Sequence, residues 1–283
     1  MYTDELCSIQ SDWSRRSLLL MRELLPLMAP VAVFEKWTKE QQSTIGFLLS
    51  ASARSSESLF LLTSYGELWD AETMQRAIIE SSLKFVFLLQ SRDTFEDRFN
   101  EYTTVQYELS LLKDDKKTLE LLGVLPNPDD KEWQPLRDRL LGDEERKRIS
   151  EKYDRNYRNS LASRWGFTGI IGSLTRSDKL FNGFGGLSYG YSLSSHILHA
   201  DYLGVALPMD RDSRSNDNRN SMHLAHLARH ISDAFTCMMM RLYTGYRFVE
   251  ADIEPLKDAA KRIEELCSPF HKEYEKWLAI EYS

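Results

Sequence analysis

The chain is expected to fold as an all-α, multi-helix bundle. Apolar residues recur with a period near four rather than two along almost its whole length. Only 13 glycines and 8 prolines are spread over 283 residues, so few positions interrupt a helix. A hydrophobic fraction of 42% and a charged fraction of 28% match a soluble globular protein long enough to bury a sizeable core.

Taken in order, helices are expected at 3–24, 31–39, 41–65, 69–91, 93–122, 131–141, 143–160, 187–203, 216–247 and 252–281. Asp70 suits the N-cap of the fourth, with Glu72 and Thr73 in its first turn. The far half of that helix is nearly all apolar (Leu83, Phe85, Val86, Phe87, Leu88, Leu89), as for a helix buried on most sides. Gly123 followed by Pro126-Asn-Pro128 ends the fifth and opens a turn-rich connection over 122–131. A flexible Gly183-Phe-Gly-Gly186 stretch leads into the helix at 187–203. The charged run ending Met209-Asp-Arg-Asp-Ser-Arg-Ser-Asn-Asp-Asn218 makes 204–218 an expected mobile loop. Pro255 suits a first-turn position in the last helix. No repeat of 20–50 residues is present, so 1–283 reads as one helical domain with an inserted helical subdomain at about 125–180.

A net charge of −7 argues against a surface coated in base for sequence-independent nucleic-acid binding, while leaving room for a local basic groove. Cys7, Cys237 and Cys267 are odd in number and far apart, which suits a reducing, cytoplasmic setting rather than a disulfide framework. No leader-like segment opens the chain, and the apolar run at Phe85–Leu89 is far short of the ~20 residues a membrane span needs. A P-loop, a Gly-x-Ser-x-Gly elbow, His-Glu-x-x-His and Cys-x-x-Cys are all missing, which excludes the common NTPase, hydrolase and zinc-protease signatures.

The chemistry concentrates in histidine: five of six lie between positions 196 and 230. Within Tyr189-Gly-Tyr-Ser-Leu-Ser-Ser-His-Ile-Leu-His199-Ala-Asp201, helical spacing puts Ser195 and His199 on one face and His196 beside His199. An imidazole steadied by Ser195, Tyr189 or Asp201 would serve as a general base; the bland alternative is a pair of half-buried structural histidines. Arg76, Glu80 and Lys84 form a ladder at intervals of four, either a solvated salt-bridge face or an organised anion clamp. His223, His226 and His230 span only about 60° of a helix and could bind a transition metal. His223 and His230 are about 10 Å apart along the axis, however, so a metal would need ligands from elsewhere, and scaffold is the preferred reading. Arg146, Lys147, Arg148, Lys152, Tyr153, Arg155, Tyr157, Arg158, Arg164 and Trp165 mix base with aromatic rings, as in single-stranded RNA binding. Interspersed acids make a solvated face the preferred reading.

Arg76-x-x-x-Glu80, then Trp165, then Tyr191-Ser-Leu-Ser-Ser-His-Ile-Leu-His199 together resemble an uncharacterised bacterial all-helical family of unknown function, over about residues 45–205. That family is in turn associated with HEPN-like (higher eukaryotes and prokaryotes nucleotide-binding) helical domains. The resemblance implies a HEPN-like core, a place in antiviral or toxin–antitoxin systems, and a two-fold homo-oligomer. It also implies metal-independent RNA cleavage by an Arg, a polar residue, and a His after four to six intervening positions. Arg219-Asn220 through His226 meets that spacing, but it does not coincide with the Arg76/Glu80/His199 block. The expectation is therefore a cytoplasmic, defence- or stress-associated protein cleaving RNA without a cofactor. His199 with Arg76, Glu80, Ser195 and His196 would act in it, or else Arg219 with His226. The alternative is a non-catalytic module that binds a nucleotide, an anion or a protein partner.

Overall fold

The computed structural model describes residues 2–282, and among them every regular element is helical. The chain forms two units, one comprising everything up to Gln90 and from Ile170 onward, the other Ser91–Gly169. The inserted unit thus begins well ahead of the 125 expected and ends before 180.

In the first unit, α1 (Asp4–Leu24) starts where the Thr3 hydroxyl accepts the Leu6 N–H. The helix expected at 31–39 is only a turn at Ala29–Ala32, because Pro30 suits a first turn and the chain leaves helical geometry at Val33. Thr38 and Gln41 then make reciprocal side-chain-to-backbone bonds, a capping box that opens α2 (Lys39–Tyr65). Gly66, at φ 88°, ends α2 in a left-handed conformation that side-chain-bearing residues resist. α3 (Leu68–Leu88) follows at once, so Asp70 lies inside its first turn rather than at the cap, where Glu67 sits without a side-chain bond.

Later elements correct the expectations further. α9 (Gly183–His199) absorbs the glycine-rich stretch, anchored by the buried Phe184 and Leu187, and ends at Ala200 with φ 48°. The expected loop at 204–218 is largely α10 (Tyr202–Ser213), nucleated by Asp201, whose Oδ1 accepts the Gly204 N–H at 3.0 Å. α11 (Asn216–Val249) follows after a Ser215 cap. The single helix expected at 252–281 is two, α12 (Glu254–Cys267) and α13 (Phe270–Glu281). Pro269 separates them, since it has no N–H to give a continuing helix. Pro255 does occupy the first turn of α12.

In the second unit, α4 (Arg92–Asn100) passes through a π-helical turn, Glu101–Val105, into α5 (Gln106–Leu122). Only short helical turns, Lys131–Trp133 and Gln134–Arg137, occupy the expected 131–141 helix. The expected 143–160 helix is divided into α6 (Asp143–Lys152) and α7 (Arg155–Trp165), because Asp154 caps a new start on the Tyr157 N–H. α8 (Phe167–Ser177) was not anticipated; its buried Ile170 and Leu174 lie one turn apart. It begins in the second unit and ends in the first.

The core of the first unit centres on α3, flanked by α2, α9 and α11. Leu68, Ile78, Ile79, Phe85 and Val86 of α3 are completely buried, as are Leu227, Ile231 and Ala234 of α11. Each large apolar side chain so placed contributes about 1.5–3 kcal/mol. No described helix is long and apolar enough to cross a membrane.

Candidate functional site

The buried faces of α3 and α11 are not uniformly apolar. Glu72 lies on the inward face of α3 and is fully buried. A carboxylate there is tolerable only if its oxygens are satisfied. Oε1 accepts from His226 Nε2 at 2.7 Å and from the Arg229 guanidinium, both on α11. Oε2 faces the Ser194 hydroxyl of α9 at 2.8 Å. A Cβ at Gly190 would come within 2.8 Å of Arg229 Nη1, so α9 lies close against the tip of that side chain. Arg229 Nη1 also lies 3.6 Å from Asp233, whose carboxyl burial pushes up to about 6, with Arg229 opposing and Glu72 reinforcing.

The three stripe histidines have separate attachments. His223 Nε2 meets Gln10 Oε1 at 2.6 Å, and Tyr2 packs on its ring at 4.4 Å. His230 Nε2 donates to the Leu68 carbonyl at 3.1 Å. His226 stacks on His230 at 4.6 Å and meets the Trp69 ring edge-on at 4.9 Å. Burial, followed by the Arg229 and Arg211 charges, holds His226 well below the ordinary imidazole range. Burial does the same for His230 and, with Arg211, brings His223 down to about 3. All three are neutral at physiological pH. Since His226 Nε2–H points at a carboxylate, Nδ1 carries the lone pair, and 11% of the side chain remains exposed. Arg211 lies over Trp69 at 4.9 Å, and Arg219 over Tyr2 at 5.3 Å.

Glu72, His226 and His230 each offer one ligand atom within 4.8 Å of the others. Two imidazoles and a carboxylate suit a divalent transition metal in kind. Here, however, the Arg229 cation occupies the same Glu72 oxygen, and His230 Nε2 is committed to a backbone carbonyl. The arrangement fits a carboxylate-oriented imidazole better than a metal centre.

The block singled out in the sequence assembles only in part. Arg76 Nε binds Glu80 Oε1 at 2.9 Å, so the ladder pair forms as its spacing suggests. Their third partner is Tyr191 rather than His199. Its hydroxyl accepts from Arg76 Nη2 at 3.2 Å and donates to Glu80 at 3.1 Å, while the guanidinium lies over its ring at 4.8 Å. His199 is exposed in the last turn of α9 and makes no contact with Arg76 or Glu80. His196 Nδ1 instead meets Asp201 Oδ2 at 2.6 Å, and the chemistry on Glu72 belongs to Ser194 rather than to its neighbour Ser195. In the sequence Glu72 reads only as a first-turn residue. Its signal was the i, i+4, i+8 series it forms with Arg76 and Glu80, one turn before the recognised ladder.

Most of the basic and aromatic run of the second unit is engaged internally. Arg146 pairs with Asp115, Arg148 and Lys152 with Glu108, and Arg164 with Glu101. Arg158 donates to the carbonyls of Ser150 and Tyr153. These side chains are held by their own unit rather than offered as a phosphate-binding array.

A model of a family described as "Family of unknown function (DUF5677)" matches residues 42–216, more than half of the 283-residue chain. The match contains Glu72, Arg76, Glu80, Tyr191 and Ser194, and stops before His226 and Arg229. No curated protein and no solved structure matches the chain.

Proposed function

We propose that this chain, which belongs to the DUF5677 family of unknown function, cleaves RNA without a metal, using His226 as the general base. The observation that carries this reading is the Glu72–His226 pair: a buried carboxylate fixes Nε2–H at 2.7 Å and leaves Nδ1 unprotonated. That nitrogen would take the proton of a ribose 2′-hydroxyl, whose oxygen attacks the adjacent phosphorus. The 5′-oxygen then departs with a proton from solvent, leaving a 2′,3′-cyclic phosphate. Arg219 and Arg211, beside Tyr2 and Trp69, supply cations for the phosphorane charge. RNA is the matching substrate class because its own hydroxyl is the nucleophile, so one base suffices. A defence- or stress-associated role, with a second copy completing the assembly, belongs to the same proposal.

The test is cleavage of a labelled single-stranded RNA in EDTA by the wild type and three variants. His226→Gln is expected to lose roughly 10²–10⁴-fold, Arg219→Ala less, and His199→Ala nothing. Undiminished cleavage by His226→Gln, or none by the wild type on any RNA, would overturn the reading.

A second reading, binding without turnover, is favoured by the Arg76–Glu80–Tyr191 group. It lies wholly within the family match, and Arg76 Nη1 is buried without a hydrogen-bond partner. Thermal stabilisation by a nucleoside phosphate, lost in Arg76→Ala, with no RNA cleavage, would select it.

A further inference from the structure

Glu72 is not the only buried charge along α11. Arg241 is 1% exposed, and its Nη1 donates to the Ser82 hydroxyl of α3. Its Nε and Nη2 are buried with no hydrogen-bond partner, and no described carboxylate pairs with it. Burial lowers its pKa only to about 10, so the guanidinium remains a cation at neutral pH.

The surrounding groups do not supply the missing charge. Cys237, one turn back on the same face of α11, is fully buried, and burial pushes its thiol up to about 12, so it stays an S–H. Thr244, one turn ahead, is also fully buried and has an unpartnered hydroxyl. Cys237 also bonds to Ser82, whose own proton goes to the Ile78 carbonyl, so the donors left over are two guanidinium N–H groups and the Thr244 hydroxyl, around one positive charge. Water would satisfy the donors without neutralising the cation, and an uncompensated buried charge is strongly unfavourable.

We propose that Arg241, with the Thr244 hydroxyl, binds a small monovalent anion of the halide or formate class in the seam between α3 and α11. The site is remote from His226 and does not depend on the reading of that residue. The size limit follows from the burial: a guanidinium 1% exposed is out of reach of a phosphate ester with a body attached, so only a compact ion fits the reading.

The test is the melting temperature of the full chain in chloride, bromide or formate against gluconate, at matched ionic strength. The wild type should show a saturating rise of roughly 3–8 °C with bromide, and with chloride or formate as well, absent in Arg241→Met. Crystals soaked in bromide provide the second measurement if that variant does not fold. An anomalous peak within hydrogen-bonding distance of the Arg241 guanidinium supports the site. Equal melting temperatures in all four salts, an anion response retained by Arg241→Met, or no bromide peak at the guanidinium overturns it.

Discussion

Asp115 and Glu108 in the inserted unit receive enough donors to occupy their oxygens. Asp115 takes both Arg146 Nε at 2.7 Å and the Leu141 N–H at 2.9 Å. Glu108 takes Arg148 at 2.9 Å, Lys152 at 3.0 Å and the Tyr153 hydroxyl at 2.5 Å. In the other unit Arg241, Gln75 and Arg76 keep buried polar atoms without partners, and Glu72 gathers two histidines and an arginine around one carboxylate. Satisfied networks need nothing beyond the chain. Unsatisfied ones, in a fold that otherwise buries its apolar residues well, are where water or a ligand would be needed to complete the hydrogen bonding.

The sharpest way to break that contrast is to remove one acid from each unit. Glu72→Gln should cost about 3–5 kcal/mol in urea unfolding, because Glu72 is fully buried among His226, Arg229 and Ser194 and its loss leaves Arg229 only the longer 3.6 Å contact with Asp233. Asp115→Asn should cost less, since Arg146 keeps 32% of its side chain in water and retains Asp143 at 2.7 Å. Equal losses would erase the distinction.

Acid should separate the units next. His223, His226 and His230 have folded pKa values below their unfolded value near 6.5, so the stability they provide is full above that pH and is lost as pH falls below it. Asp233, raised to about 6, works the other way: its contribution is full below its unfolded pKa and is lost as pH rises through about 6. Three proton-accepting groups outnumber one, so the core unit should weaken from pH 6.5 downward. For Glu108, burial alone would raise the pKa, but the hydrogen bonds from Tyr153, Lys152 and Arg148 prevail and hold it at about 2. Its contribution is full above the ordinary glutamate value near 4.5 and is lost only as pH falls toward 2. Single-tryptophan variants, retaining Trp69 in one unit or Trp165 in the other, should report the core transition at the higher pH. Coincident transitions would contradict the assignment.

The smallest effect is reserved for exposed pairs. Arg22→Ala breaks the 2.7 Å contact with Glu57, yet the arginine side chain is already 55% exposed, so the loss should stay within about 1 kcal/mol. A larger value would mean that exposure is a poor guide to which charges matter in this molecule.

What is legible in the sequence alone is local. The Arg76–Glu80 contact and the long helix at 216–247, observed as Asn216–Val249, follow from spacing along one helix. α10 is hidden in the sequence because its charged residues resemble a loop, although Asp201 is present to cap it. The site was the least legible part, for a geometric reason. Glu72 meets His226 and Ser194 across separations of 154 and 122 residues, which no periodicity encodes. His199 fits its motif, but the rotation of α9 about its own axis decides that Tyr191 faces Arg76 and His199 faces solvent.

α11 runs 34 residues without a break, a rod about 50 Å long. His226 and Arg241 are fifteen residues apart on it, about 22 Å along the axis and about 60° around it. A helix with an intact hydrogen-bond ladder transmits axial displacement along its length rather than absorbing it locally. An occupant at Arg241 that shifts α11 would therefore change the spacing between His226 and Glu72. By reciprocity, a ligand engaging His226 would alter affinity at Arg241 by the same factor.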